Sequence, residues 1–338
     1  MKLTNKLLYT TLLFFGFCIP TFAADDVEPI QPKLTDREDV KTFINQMVDQ
    51  HKFDHDKLVA LFNNVKIQPK IITIMDRPAE GKPWKNYRPI FVTPKRINEG
   101  VVFWQQNETA LKHIEKQYHV PASVIVAIIG AETFYGKQRG DYLVIEALST
   151  LGFDYPRRAP FFKSELGEFL LLTREEKMDP MAIKGSYAGA MGPGQFMPSN
   201  YRKYAVDYDK SGTRDLLGNM DDAIASVANY LKEYGWEYGR PVAVKATANN
   251  DKYQTLLNKG SQPFTTVKEA KLQGLKLQSH LPNHENVSVL SLDGDQGQEL
   301  WVTTNNFYVI TGYNKSQLYA MAVYQLSDEI AKAKKLVK

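Results

Sequence analysis

Residues 120–136 read VPASVIVAIIGAETFYG. Pro121 suits the first turn of a helix, where its missing N–H would have no partner anyway. From Val124 to Ala131 the sequence is apolar without a break, which predicts a helix buried on all sides. Glu132 follows at the C-terminal end of that helix, with Phe134 and Tyr135 before a stop at Gly136. Burial and the negative end of the helix dipole both disfavour a carboxylate there, so a raised pKa is expected. A carboxyl kept protonated near neutrality is what a general acid for glycosidic cleavage requires. The competing reading is a structural glutamate paired with Arg139, Arg157 or Arg158, and the local sequence leaves both open.

Around this helix lies an ordinary globular sequence: 338 residues, 43% hydrophobic and 24% charged, enough for one large domain or two modest ones. It opens with MKLTNKLLYTTLLFFGFCIPTFA, in which Lys2 and Lys6 precede an apolar run from Leu7 to Phe17, then a break at Pro20 and Ala23. That pattern predicts a secretory signal over residues 1–23, cleaved after Ala23. The run is short for a span of roughly 20 residues and is interrupted by a tyrosine and two threonines, which argues against an uncleaved anchor. The single cysteine, Cys18, lies inside this segment behind the bulky Phe17, so a lipoprotein anchor is not expected. The mature chain would carry no thiol chemistry. The formal charge of +4 falls to about +2 without Lys2 and Lys6, too little to argue for a nucleic-acid partner.

Helical spacing recurs along the chain. Thr35-Asp36-Arg37-Glu38 has a capping-box pattern ahead of Val40, Phe43, Ile44, Met47 and Val48. Leu58, Leu61, Phe62 and Val65 predict a second helix, and Leu111, Ile114 and Tyr118 another. Further helices are expected over 161–175, 221–234 and 315–333. The proline-rich stretch 66–98 has no clean period and is expected to be extended and irregular. Strand patterning is confined to VSVLSL at 287–292 and LWVTTNNFYVITGY at 300–313. The polar stretch 240–285 reads as an insertion or a joining region within one compound unit.

A second unusual stretch, GSYAGAMGPGQFMPS at 185–199, concentrates glycines. It contains neither a Walker loop nor a G-x-G-x-x-G pattern, and its serine stands one place too early for a nucleophile elbow. What remains is a tight turn in which glycines let the backbone approach a ligand, with the Ser186 hydroxyl and the Gln195 amide as polar handles. A purely structural hairpin packed with Met and Phe fits the same residues.

Glu132-Thr133 with Gly136, YPRRA at 155–159, KGSYAGAMGPGQFMPSNY at 184–201, SVANYL at 226–231 and NFYVITGYNKSQLYAMAVYQL at 306–326 together resemble the lytic murein transglycosylase B family. The resemblance runs from about residue 35 to about residue 330, motifs in order. It implies a mainly α (α+β) fold: a lysozyme-like helical catalytic core over about 100–240, a small β element near the C-terminus, and a C-terminal part of the cleft over about 286–335, all in one catalytic domain from residue 24 to 338. It also implies cleavage of the MurNAc–GlcNAc β-1,4 bond of peptidoglycan without water, leaving 1,6-anhydro-muramyl ends, in the periplasm of a Gram-negative-type bacterium. Glu132 matches the family's single acid/base. An intramolecular C6 hydroxyl replaces the water that a second acid would activate, so no second catalytic carboxylate is required.

Carried over in the same way, Ser186, Gln195, Tyr230 and Asn314 match polar positions of the sugar cleft. Tyr87, Tyr313 and Tyr319 match aromatic or hydroxyl contacts there, and Met197 belongs to the same wall. Arg157 and Arg158 match a pair suited to the lactyl or peptide carboxylates of muramic acid, although tandem arginines also occur on solvated faces. The family's core often carries a calcium loop, and DYDKSGTRDLLG at 207–218 places Asp207, Asp209, Ser211, Thr213 and Asp215 at ligand positions, with Gly212 at the turn. Gly218 cannot supply the closing carboxylate, so Asn219, Asp221 or Asp222 would have to reach back. His51 with His55 and His280 with His284 lack a metal-ligand pattern and read as surface residues.

The expected protein is thus a monomeric lytic transglycosylase that binds glycan strands, works beside other cell-wall enzymes and needs no cofactor for its chemistry. Its rivals are a hydrolytic muramidase on the same fold, a non-catalytic peptidoglycan binder and, more distantly, a serine hydrolase centred on Ser186.

Overall fold

The computed structural model describes residues 33–76 and 82–337. The expected signal segment with Cys18 lies outside the described residues. The helices in chain order are α1 Glu38–His51, α2 His55–Phe62, α3 Pro69–Met75, α4 Trp84–Phe91, α5 Pro94–Gln106, α6 Glu108–Tyr118, α7 Ala122–Thr133, α8 Val144–Asp154, α9 Ala159–Glu175, α10 Pro198–Tyr204, α11 Met220–Glu233, α12 Val267–Leu272, α13 Asn305–Tyr313 and α14 Gln317–Leu336. The strands are β1 Tyr142–Leu143, β2 Lys184–Gly185, β3 Ala243–Ala248, β4 Thr265–Thr266, β5 Leu275–Leu277, β6 Asn286–Gly294 and β7 Gly297–Thr303.

The helix of the opening stretch, α7, is the hub. Every residue from Val124 to Gly130 is buried, because α5, α6, α11 and α14 pack around it and leave no solvent face. The N-terminal helices are tied on through polar contacts: Arg37 reaches Asp154 at 2.6 Å, Gln68 Nε2 donates to Glu146 at 2.7 Å, and the Gln68 N–H donates to the Thr150 hydroxyl.

The segment 66–98 corrects the expectation of irregular chain, since it holds α3, α4 and the start of α5. Three of its prolines begin helices rather than break them, and a fourth, Pro89, is held inside α4. Pro69 and Pro94 stand in first turns, where no N–H is needed, and Pro83 is the N-cap of α4. The predicted capping box is also replaced. Arg37, not Thr35, stands at the N-cap of α1 and makes no side-chain capping bond, while the Thr35 hydroxyl donates to Asn63 Oδ1 at 2.6 Å.

A five-stranded antiparallel sheet has the order β4-β6-β7-β3-β5. Both of its faces are covered. Leu290, Leu292 and Trp301 turn to the helical core, while Val287, Val289 and Val302 join Tyr253, Leu256, Val267 and Leu281 in a smaller core. Burial on both sides explains the near-continuous apolar reading of these strands. The polar 240–285 stretch is therefore a structural part of the sheet rather than an appended insertion, since it supplies β3, β4 and β5. The second predicted strand ends early. Pairing stops at Thr303, and the Thr304 hydroxyl caps α13 by accepting from the Asn306 N–H, so 305–313 is helical.

Candidate active site

The chain leaves α7 through two consecutive left-handed residues, Phe134 with φ 50° and Tyr135 with φ 63°, so the helix stops before the predicted Gly136. Such a backbone is costly without glycine and persists only where tertiary contacts hold it. Here the Tyr135 ring folds back into a slot made by Gly100 and Gly130, at either of which a Cβ would lie 2.6 Å from the phenol. Its hydroxyl donates to the Arg96 carbonyl at 2.7 Å. The Phe134 and Tyr135 N–H groups close the helix on the Gly130 and Ile129 carbonyls. This return fixes the direction of Glu132, two residues before Phe134.

Glu132 is half-buried, and the protein around its carboxyl removes enough water to push its pKa up to about 7. Opposing that rise, the Tyr319 hydroxyl donates to Glu132 Oε1 at 2.5 Å. The arginines of the competing reading are engaged elsewhere: Arg139 donates to the Gly136 and Leu217 carbonyls, Arg157 lies 3.5 Å from Asp76, and Arg158 covers the Phe161 and Phe162 rings. Among the described residues, no second carboxylate interacts with Glu132.

Tyrosines from four helices build the cluster at this carboxyl, with Tyr319 and Tyr313 beside it and Tyr87 and Tyr230 packed behind them. Phe91 of α4 meets the Tyr319 ring edge-on at 6.4 Å and carries Tyr87 beside it at 5.3 Å. At the end of α13, Tyr313 lies close enough to Glu132 for their charges to be coupled, and burial holds its phenol well above the ordinary value. The Tyr313 hydroxyl is buried with no hydrogen-bond partner. Its ring packs on Tyr230 at 4.6 Å and Phe196 at 6.0 Å. Tyr230 is itself almost fully buried, with its hydroxyl committed to the Gly312 carbonyl at 2.7 Å and its ring stacked on Tyr234 at 4.3 Å. Asn314 follows as the C-cap of α13, half-buried.

The glycine-rich stretch is a hairpin clamped to the end of α7. The Thr133 hydroxyl donates to the Pro193 carbonyl at 2.8 Å and accepts from the Gly136 N–H at 2.9 Å, so the residue next to Glu132 holds the tip of the turn. Gln195 has φ 50°, and its amide donates to the Arg139 and Gly192 carbonyls. Ser186 Oγ accepts from the Ala188 and Ala190 N–H groups at 3.3 and 3.0 Å, bracing the first turn. Met197 is half-buried at the N-cap of α10.

The role expected for the glycines needs correction. A Cβ at Gly185 would lie 2.3 Å from the Ala190 carbonyl oxygen, and one at Gly192 2.6 Å from that of Leu216. The space freed by the missing side chains is filled by the protein itself, so these glycines close-pack the hairpin rather than admit a ligand.

Glu132, Tyr319, Tyr313, Tyr230 and the 191–196 turn thus share one connected cluster, with Tyr87 reaching it through Phe91. Arg157 and Arg158 stand apart from that network, at the N-terminus of α9. Thr133 and Tyr135 escaped the sequence reading. Thr133 carries no signal except its place beside the acid, and Tyr135 is explained only by the two distant glycines it packs against.

The 207–218 loop forms a separate centre. Carboxylate oxygens of Asp207, Asp209 and Asp222 all lie within 4.8 Å of one another. Asp215 is not in this group; its Oδ1 accepts from the Leu217 and Gly218 N–H groups. Asp222, buried at the start of α11, takes the converging place instead. Burial and the nearby Asp209 and Asp207 charges raise the Asp222 pKa. Three hard oxygen donors beside the Ser211 hydroxyl and Thr213 carbonyl, which contact each other at 3.3 Å, fit a calcium ion, which would relieve that like-charge crowding.

A family model described as a transglycosylase SLT domain matches residues 35–328. The membrane-bound lytic murein transglycosylase B of Escherichia coli (strain K12) is 43% identical over 302 residues, covering 86% of this chain and 82% of the relative. Among solved structures, soluble lytic transglycosylase SltB1 from Pseudomonas aeruginosa superposes with a TM-score of 0.85 at 47% identity, covering 88% of this chain and 99% of that one. The Escherichia coli lytic transglycosylase Slt35 in complex with calcium does so with a TM-score of 0.82 at 42% identity, covering 88% of this chain and 94% of that one. With its buried hub helix, its acid at the helix end and its clamped glycine hairpin, this chain belongs to the transglycosylase SLT domain family and is a lytic murein transglycosylase.

Proposed function

We propose that Glu132 is the sole acid/base of this enzyme, acting on the β-1,4 bond between MurNAc and GlcNAc. In the first half of the reaction the protonated carboxyl gives its proton to the glycosidic oxygen as the bond to C1 breaks. In the second, the resulting carboxylate takes the proton of the same sugar's C6 hydroxyl as that oxygen bonds to C1. The proton balance closes without water, and the product is a 1,6-anhydro-muramyl end. The observation that carries this reading is one desolvated carboxyl with a pKa of about 7 and, among the described residues, no carboxylate partner. A group that must give a proton and then take one works best when neither state is strongly preferred. Tyr319 is suited to steady the carboxylate between the two steps, since its hydrogen bond favours the charged form.

The remaining assignments follow the same reading. Ser186, Gln195, Met197, Tyr230, Tyr313, Tyr319, Tyr87 and Asn314 would line the glycan path. Residues 24–338 would act as one catalytic unit, with the core over about 100–240 and the 286–335 segment closing the cleft. Asp207, Asp209 and Asp222, with Ser211 and the Thr213 carbonyl, would hold a calcium ion that stiffens the loop and takes no part in bond cleavage. Export by the 1–23 signal would place the enzyme where its polymer is, in the periplasm. No helix among the described residues is long and apolar enough to cross a membrane.

Mass spectrometry of peptidoglycan digested by the purified protein tests the reaction. Anhydro-muramyl ends are expected, and reducing muramic ends would instead identify a hydrolase on the same fold.

A further inference from the structure

The Tyr230–Gly312 contact behind the aromatic cluster also walls a second, open groove of about 840 Å³. Tyr234, which stacks on Tyr230, lines it together with Tyr308 and Gly312 from α13. Opposite stands the loop before β4, whose Gly260 carbonyl is fixed to β6 by the Ser288 hydroxyl at 2.7 Å. Lys259 from that loop and Lys315 from the turn after α13 converge on the groove. Both lysines are exposed, and among the described residues neither is paired with a carboxylate. The rest of the lining is amide, hydroxyl and tyrosine, without one acidic side chain. In a chain with 38 acidic residues against 42 basic ones, an acid-free groove holding two unpaired ammonium groups marks a surface for an anion.

Gly312 lines the groove, accepts the Tyr230 hydroxyl and precedes Tyr313 of the Glu132 cluster, so groove and cluster adjoin at the end of α13. Arg157, largely exposed beside Asp76, and Arg158, stacked over two phenylalanine rings, stand at the N-terminus of α9 and are not among the residues lining this groove. We propose that the Lys259–Lys315 groove binds the carboxylate-bearing peptide stem of the glycan whose sugar backbone lies against Glu132. The groove then selects stem-bearing strands over naked ones. This inference rests on the assignment of Glu132 and the glycan path above.

The test compares wild type with the Lys259→Ala/Lys315→Ala variant on intact glycan strands and on strands stripped of their peptides by an amidase. The variant should lose about fivefold in kcat/KM on intact strands, mainly through KM, and nothing on stripped strands. Lys259→Arg/Lys315→Arg should restore the loss, and Arg157→Ala should leave the preference for intact strands unchanged. Equal losses on both substrates, or no loss on either, would overturn the proposal. A titration with the free stem tripeptide Ala-Glu-diaminopimelate gives a readout independent of turnover. Binding should weaken with salt and about fivefold in the alanine variant, and a tripeptide indifferent to both lysines also overturns the proposal. Reducing ends in the product would overturn the transglycosylase assignment while leaving the tripeptide result to decide the groove.

Discussion

The Tyr319 hydroxyl lies 2.5 Å from Glu132 Oε1, joining α14 to the end of α7 across 187 residues of sequence. The bond favours the charged carboxylate, whereas burial favours the neutral acid, and burial wins. Tyr319→Phe removes the opposing influence, so the Glu132 pKa should rise by about one unit. A pH profile of kcat/KM should show its alkaline limb displaced upward by that amount, with a lower maximum because the carboxylate formed in mid-reaction loses its donor.

Glu132→Gln keeps the shape and an acceptor for Tyr319 but cannot transfer the proton. Turnover should fall by about 10³-fold or more, with glycan binding retained. Stability should move the other way. A carboxyl whose folded pKa is raised from 4.5 to about 7 leaves the folded state binding more protons than the unfolded one between those values. The wild type therefore loses stability as pH climbs through that window. Melting scans should find Glu132→Gln a few degrees more stable than wild type at pH 8 and indistinguishable from it at pH 4.

Thr133 holds the turn of the glycine hairpin against the acid. Thr133→Val strands the Pro193 carbonyl and the Gly136 N–H, which should cost about 1–3 kcal/mol in urea unfolding and lower kcat. Thr133→Ser keeps the hydroxyl, so it should recover most of the rate. A serine variant as slow as the valine one would argue against the clamp.

Two glycines with similar backbones should respond differently to alanine. Gly192 has φ 72° and a Leu216 carbonyl oxygen 2.6 Å from its prospective Cβ, while Gly212 has φ 93° and open space. Gly192→Ala should destabilise by about 3 kcal/mol and Gly212→Ala by about 1 kcal/mol. Activity should suffer only in the first, because only that turn abuts the acid.

Calcium should raise the melting temperature, by about 2.7 kcal/mol of stabilisation at a hundredfold excess over Kd. Asp222→Asn should abolish the response. Asp215→Asn should lower stability without calcium yet keep the response, because its oxygen serves the Leu217 and Gly218 N–H groups. Calorimetry of the two variants separates the roles.

The sequence by itself determined the buried helix, the position of its acid and the direction of that acid's pKa. An unbroken apolar run admits no solvent face, and a carboxyl at its end inherits that dryness. It also determined α1, α2, α6, α9, α11 and α14, whose apolar spacing is local. It misread the places where local signals and long-range contacts disagree. Pro69, Pro83 and Pro94 looked like breakers but stand at helix starts, and the strand from 300 became helix where the Thr304 cap outweighed β-propensity. Only the tertiary structure decided what the glycines of 185–194 make room for, because the atoms that fill those spaces come from Ala190, Leu148, Leu216 and Val227. Only it brought Tyr319 to Glu132, replaced Asp215 by Asp222 in the acidic loop and left Lys259 and Lys315 facing one groove. Each of those depends on distances between residues far apart in the chain, which no local pattern encodes.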